Sequence, residues 1–248
     1  MVSQNNIIYQ DGAFPIENFN GSFLRYFLRE VETVHAKVRR YTSPDEYPFS
    51  RNLPSPVLPP LPHPQMLIPN DINYNEKLVE IYTKDIVPLI CKAGDDEHYG
   101  SAATKDVEAL QLLSRRVHFG KFVAEAKFTD PKEHDEYVRL IKAQDRDGIM
   151  KLLTNQAVED RLLRRLKRKA LVYGQEIDDD SPLPEGATAK GEGVKGSQSH
   201  LRIPLDVVAK MYEKFVIPLT KEVEVDYLLR RLEYPDFVPG IVVGDGQR

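Results

Sequence analysis

Residues Ser114 to Phe128 read SRRVHFGKFVAEAKF, and this stretch decides the fold: it has the apolar spacing of a buried helix with long cationic side chains on the same side. At roughly 100° per residue, Arg116, Gly120, Val123 and Lys127 follow at steps of four, three and four and share one stripe. A charge inside a core costs several kcal/mol unless it is paired, so Arg116 and Lys127 require an anionic partner from the protein or from a ligand. Gly120 lies between them, at a cost of about 1 kcal/mol relative to Ala in a helix interior. Two readings follow: space kept for a bound molecule, or close packing of a second helix with ordinary ion pairs around it.

The pattern extends in both directions as further helices. Upstream, Ser101 and Thr104 are cap candidates and Leu110, Leu113, Val117 and Phe122 face a core, which predicts one long helix. Downstream, residues 131–142, 145–153 and 155–173 have helical spacing, the last closed by Gly174. Near the start, Asn20, Gly21 and Ser22 open a helix whose apolar stripe is Phe23, Phe27, Val31, Val34 and Val38. Residues 75–90 form another, which Pro88 kinks or ends, and Pro204 starts a last one that Pro218 kinks just before Thr220 and Glu224. No strand alternation and no repeat stands out. The expectation is all-α: one domain over residues 1–248, a helical bundle around a long central helix.

Nine prolines between Pro44 and Pro69 forbid regular structure there, so residues 44–69 read as an extended surface segment pinned by Leu53, Val57, Leu58 and Leu61. Gly94 to Glu97 is an acidic loop. Residues 178–200 read as a mobile insertion and 234–248 as a loose tail.

The 248 residues are 41% hydrophobic and 29% charged, with net charge −4 and pI near 5.9. Such a balance argues against a dedicated nucleic-acid binder. The one dense basic run, Arg161, Arg164, Arg165, Lys167, Arg168 and Lys169, alternates with leucines and reads first as a solvated helix face, with a phosphate-binding patch as the other reading. Cys91 is the single cysteine, residues 1–20 lack a secretion signal, and no apolar run approaches the ~18 residues of a membrane span. These point to a reducing cytoplasm with no membrane contact. The six histidines lack metal-ligand spacing, so neither metal nor cofactor is expected.

Polar residues at helical spacing mark three faces: Arg116 with Gly120 and Lys127, Asn155 with Glu159, and Thr220 with Glu224. Brought together, they would enclose two cations, two carboxylates, an amide and a hydroxyl, a lining suited to a small polyanion. No activated Ser or Cys and no glycine-rich phosphate loop accompanies them. A reaction without nucleophile or cofactor, helped by electrostatic stabilisation, fits best. Each pair also has a plain structural reading: Asn155 as a helix cap, Glu159 in a surface ion pair.

FNGSFL at Phe19, VRRYTSPDEYPF at Val38, GDDEHYGSAAT at Gly94, the stretch at Ser114, LTNQAVE at Leu153 and IPLTKEVEVDYLLRRLE at Ile217 together resemble the all-helical chorismate mutases of fungi and plants. The resemblance implies rearrangement of chorismate to prephenate, in which an ether C–O bond breaks as a C–C bond forms. It implies that Arg116 holds a carboxylate and that Lys127 and a protonated Glu224 donate to the ether oxygen. It further implies that Asn155 and Thr220 contact carboxylate, that Glu159 takes the ring hydroxyl, and that Arg165 supports the site. It also implies a homodimer with an interface site for tryptophan or tyrosine, matched here by Arg39, Arg40, Gly100, Ser101 and Thr104.

The sequence departs from the family pattern in two places. Pro204 stands where that pattern has threonine, which touches regulation. The pattern also begins upstream, with a first helix carrying a second substrate-binding arginine. A chain without it would lose one carboxylate partner and expose an apolar groove, which makes an impaired regulatory or interaction subunit the alternative to an active enzyme.

Overall fold

A computed structural model describes residues 3–61, 64–173 and 205–240. The insertion predicted at 178–200, the cap Gly174, Pro204 and residues 241–248 lie outside the described residues. Among the described residues ten α-helices run in chain order: α1 Phe23–Lys37, α2 Asn75–Ile81, α3 Val87–Ile90, α4 Tyr99–His118, α5 Gly120–Phe128, α6 His134–Lys142, α7 Arg146–Leu153, α8 Gln156–Tyr173, α9 Leu205–Met211 and α10 Ile217–Arg231. The all-α expectation holds with one correction: β1 (Ser3–Asn5) pairs in parallel with β2 (Lys92–Gly94), too short to leave an alternation in the sequence.

The predicted long helix is two helices, α4 and α5, separated at Phe119. The backbone stays helical through the break, so the axis continues and the Arg116 to Lys127 stripe survives. Ser101 and Thr104 do not cap α4, which starts earlier; Thr104 lies inside it and donates to the Gly100 carbonyl at 2.8 Å. Ser22, by contrast, does cap α1 through the Arg25 amide, and Asp145 caps α7 through the Gly148 amide.

α1 carries two apolar stripes one residue apart: the predicted one packs half-buried against the core through Phe23, Phe27 and Val31, and its neighbour is buried outright. Leu24, Leu28, Glu32 and Ala36 face inward, whereas Val34 and Val38 are 59% and 53% exposed. Glu32 is tolerated inside because its carboxylate accepts from the Phe49 and Ser50 amides at 2.8 and 2.7 Å and from Tyr41. These bonds also fasten the proline-rich segment. Three of its four predicted pins fail, since Val57, Leu58 and Leu61 are exposed, while Leu53 is half-buried. Backbone bonds replace them: the Val57 amide donates to the Lys37 carbonyl, the Tyr227 hydroxyl meets the Ile68 amide, and Leu67 and Ile68 are buried.

A short repeat that the sequence pattern did not reveal shapes two helices. Tyr82 to Leu89 and Tyr212 to Leu219 share Tyr-x-Lys-x-x-x-Pro-Leu, and each contains a five-residue π turn before its proline. Proline has no N–H to give the carbonyl one turn back. Widening the turn moves the preceding bond back one residue, as the Val87 amide reaches Tyr82 O and the Ile217 amide reaches Tyr212 O. The second π turn feeds α10, the helix against which α5, α6 and α7 pack.

The predicted loose tail is partly held. Arg231, paired with buried Glu125 at 2.8 Å, also donates to the Tyr234 and Phe237 carbonyls, and the Gly240 amide reaches Gln65 O. Among the described residues no helix is long and apolar enough to cross a membrane.

Candidate active site

Gly120 sets the geometry of the site. A Cβ there would meet the Thr220 backbone oxygen at 2.8 Å and the Glu224 side chain at 3.2 Å. It therefore serves close helix packing rather than leaving room for a ligand: glycine lets α10 approach α5. That approach brings Lys127, on the last turn of α5, within 3.2 Å of the Glu224 carboxylate.

Around this pair lies a cavity of about 370 Å³ lined by Arg116, Val123, Lys127, Asn155, Glu159, Thr220 and Glu224, so all six predicted catalytic residues share one cavity. Leu153, Val158, Leu162 and Ile217 supply apolar wall, and Glu133 and Lys221 add charges that the sequence pattern had not singled out. Lys221 was findable, since Ile217, Thr220, Lys221 and Glu224 follow the i, i+3, i+4, i+7 spacing of one helical face. Glu133 had no such signal, because it precedes α6 in a turn.

The charges differ in how they are held. Glu224 is buried, and desolvation, partly offset by Lys127, holds its carboxyl above the usual carboxylate range. The Lys127 ammonium donates to the Leu153 carbonyl at 3.1 Å as well as to Glu224. Glu159 pairs with Lys221 at 2.6 Å, both side chains half-buried. The Arg116 guanidinium makes no hydrogen bond or ion pair among the described residues, although it lines the cavity and lies close enough to Glu224 to act on its charge. Glu159 is matched by Lys221, and burial shifts Glu224 toward its neutral form, so Arg116 and Lys127 are the cations of the inner wall.

Two polar groups have local partners. Asn155 caps α8, its side chain accepting from the Val158 amide at 3.2 Å, and the Thr220 hydroxyl donates to Val216 O at 2.6 Å. Asn155 keeps its NH2 group for a ligand, whereas Thr220 must rotate before it can donate to one. Arg165 is exposed and lies outside the cavity lining.

The five residues matched to an effector site form two groups within the chain. Arg39 and Arg40 line a second cavity of about 500 Å³ with Asp45, Glu46 and Arg115. Arg40 bonds Glu46 and, on α4, Gln111 at 3.0 Å. Gly100, Ser101 and Thr104 sit in the first turns of α4, where Thr104 is about 10 Å along the axis from Gln111 at 1.5 Å rise per residue.

Comparison with known proteins gives one answer by sequence and by fold. The family profile described as Chorismate mutase type II matches residues 98–225. The chorismate mutase of Schizosaccharomyces pombe is 45% identical over 233 residues, 92% of this chain and 86% of that protein. Among solved structures, the chorismate mutase of Candida albicans in complex with L-Trp superposes with TM-score 0.81 at 40% identity, covering 94% of this chain and 82% of that one. AtCM1 with tyrosine bound in its allosteric site does so with TM-score 0.78 at 42% identity, covering 93% and 86%. With this identity spread over nearly its whole length, and with its polar cavity built on the matched helices, the chain belongs to the chorismate mutase family.

Proposed function

We propose that the cavity binds chorismate and rearranges it to prephenate. The observation that carries this reading is that the Lys127 and Glu224 pair shares its cavity with Arg116, which has no partner among the described residues. Chorismate is a dianion whose ether C–O bond breaks as the C–C bond forms, with negative charge gathering on the ether oxygen. Arg116 holds one carboxylate in a forked, charge-assisted contact. Lys127 gives up Glu224 and donates to the ether oxygen, gaining strength as the bond stretches. Glu224 supplies a second donor only while protonated, the form its burial favours. Asn155 and Thr220 serve a carboxylate and Glu159 the ring hydroxyl. Holding the substrate in its compact reactive shape supplies part of the remaining acceleration.

The test is chorismate consumption by the purified chain with prephenate identified as product. Turnover supports the reading. No turnover from a folded sample favours the alternative, a regulatory or interaction subunit.

Regulation belongs to the same reading. The two effector groups, apart within one chain, would meet across a homodimer, where Arg39 and Arg40 take an amino acid's carboxylate and the first turns of α4 offer amides. Tryptophan and tyrosine are the proposed effectors, as supported by the ligands of the relatives. A rate that neither amino acid changes, from a chain that sediments as a monomer, would remove this part. Residence in the cytoplasm is supported by the free thiol of Cys91 alone and is tested by fractionation.

A further inference from the structure

Tyr137, on α6, is fully buried, and its hydroxyl has no hydrogen-bond partner among the described residues. An unpartnered buried hydroxyl is destabilising, and a fold that keeps one where phenylalanine would fit invites an account in terms of function. α6 packs against α10, which carries Glu224, and Glu133, one helical turn before Tyr137, lines the catalytic cavity. The acidic groups that act on the Tyr137 hydroxyl are these two, Glu133 and Glu224, and together with burial they push it well above the ordinary tyrosine range. A buried donor on a helix packed against α10, within the field of two carboxylates and bonded to neither, is ready for an acceptor that moves.

Glu224 is that acceptor. In the empty cavity its Oε2 is held by Lys127 from α5, with Arg116 from α4 and Lys221 from α10 acting at longer range. Catalysis takes Lys127 away, because its ammonium must turn to the ether oxygen. We propose that Tyr137 is a positioning residue of this site, its hydroxyl donating to the carbonyl oxygen of protonated Glu224 once substrate draws Lys127 off. The O–H of Glu224 then points at the ether oxygen, polarised by the bond accepted on its other oxygen. The inference rests on the proposed binding of chorismate, which draws Lys127 off, and its rate consequences rest also on the rearrangement.

The test is Tyr137→Phe in the full chain, read two ways. The Glu224 carboxyl is followed by carbon NMR, its signal assigned by loss in Glu224→Gln, and kcat and KM for chorismate are measured against pH. A donated bond favours the ionised carboxyl, so losing it should raise the Glu224 midpoint in the ligand complex by at least half a pH unit. The kcat should fall about tenfold with KM little changed, and the melting temperature should hold or rise as the unpartnered hydroxyl goes. Site-specific 3-fluorotyrosine at position 137, a more acidic donor, should move the midpoint the other way. A midpoint and kcat unchanged in both variants would overturn the inference. A midpoint raised by Tyr137→Phe in the chorismate complex, where the wild type itself shows no turnover, would uphold the contact and sink the proposed reaction.

Discussion

Lys121 and Lys127 stand six residues apart on α5 and do opposite work. Lys121 is 0% exposed; its ammonium donates to Asn70 Oδ1 at 2.7 Å and Ile72 O at 2.6 Å and lies 4.0 Å from the Tyr47 ring. Every partner is protein, and together they clamp the proline-rich segment and its continuation onto α5. Lys127 is one-third exposed and divides its ammonium between a carbonyl and an acid, both on the cavity wall. One amine keeps its protein partners, the other only until a better acceptor arrives. A buried charge on its own therefore says nothing about chemistry; what separates the two is whether a partner can be exchanged for a ligand.

The contrast is open to attack at several points, beginning with the largest effect. Lys121→Ala should lower stability by about 2–5 kcal/mol, from the cavity left and from two buried acceptors stripped of their donor. A denaturant midpoint close to that of the wild type would show that the clamp is dispensable.

Next comes pH. Burial pushes the Lys121 ammonium down to about 7, well below its ordinary value. Above that pH the unfolded chain binds the proton that the folded chain has released, so stability rises with pH from 7 toward the unfolded lysine value. Between pH 7 and 8.5 the gain is on the order of 2 kcal/mol, at about 1.4 kcal/mol per pH unit. Lys121→Met should remove it, and equal slopes in the two proteins would contradict the assignment.

Gly120→Ala should cost about 1–2 kcal/mol net, because the new methyl presses on the Thr220 backbone while the helix gains some propensity. It should also lower turnover by shifting Glu224 away from Lys127. A stabilised, fully active variant would remove Gly120 from the design of the site.

The smallest change is expected from Glu224→Gln at acidic pH, where the wild-type acid is already neutral. As pH rises through its raised midpoint, wild-type kcat should fall about tenfold per unit while that of the variant stays level. Parallel pH profiles would show that Glu224 does not set that limb.

Much of this was legible in the chain itself. The polar groups at i, i+4 spacing converge on one cavity, from α4 and α5, from the start of α8 and from α10. Pro88 and Pro218 marked perturbed helices, though not the π turn that accommodates each. Lys121 escaped notice because its partners, Asn70 and Ile72, lie about fifty residues away in an irregular segment. The choice between the two stripes of α1 was hidden because the buried one contains Glu32, whose partners come from another irregular stretch. Contacts between regular helices follow from periodicity, whereas contacts to irregular backbone depend on a path that local spacing does not encode.

The most direct test compares chorismate turnover by the wild type, Lys127→Ala and Lys121→Met, each checked for helical content, at mildly acidic and neutral pH. The account predicts prephenate from the wild type, at least a ~10²-fold loss in Lys127→Ala, the scale of one lost oxyanion-type donor, and near-normal turnover in Lys121→Met. Undiminished turnover in folded Lys127→Ala would contradict it.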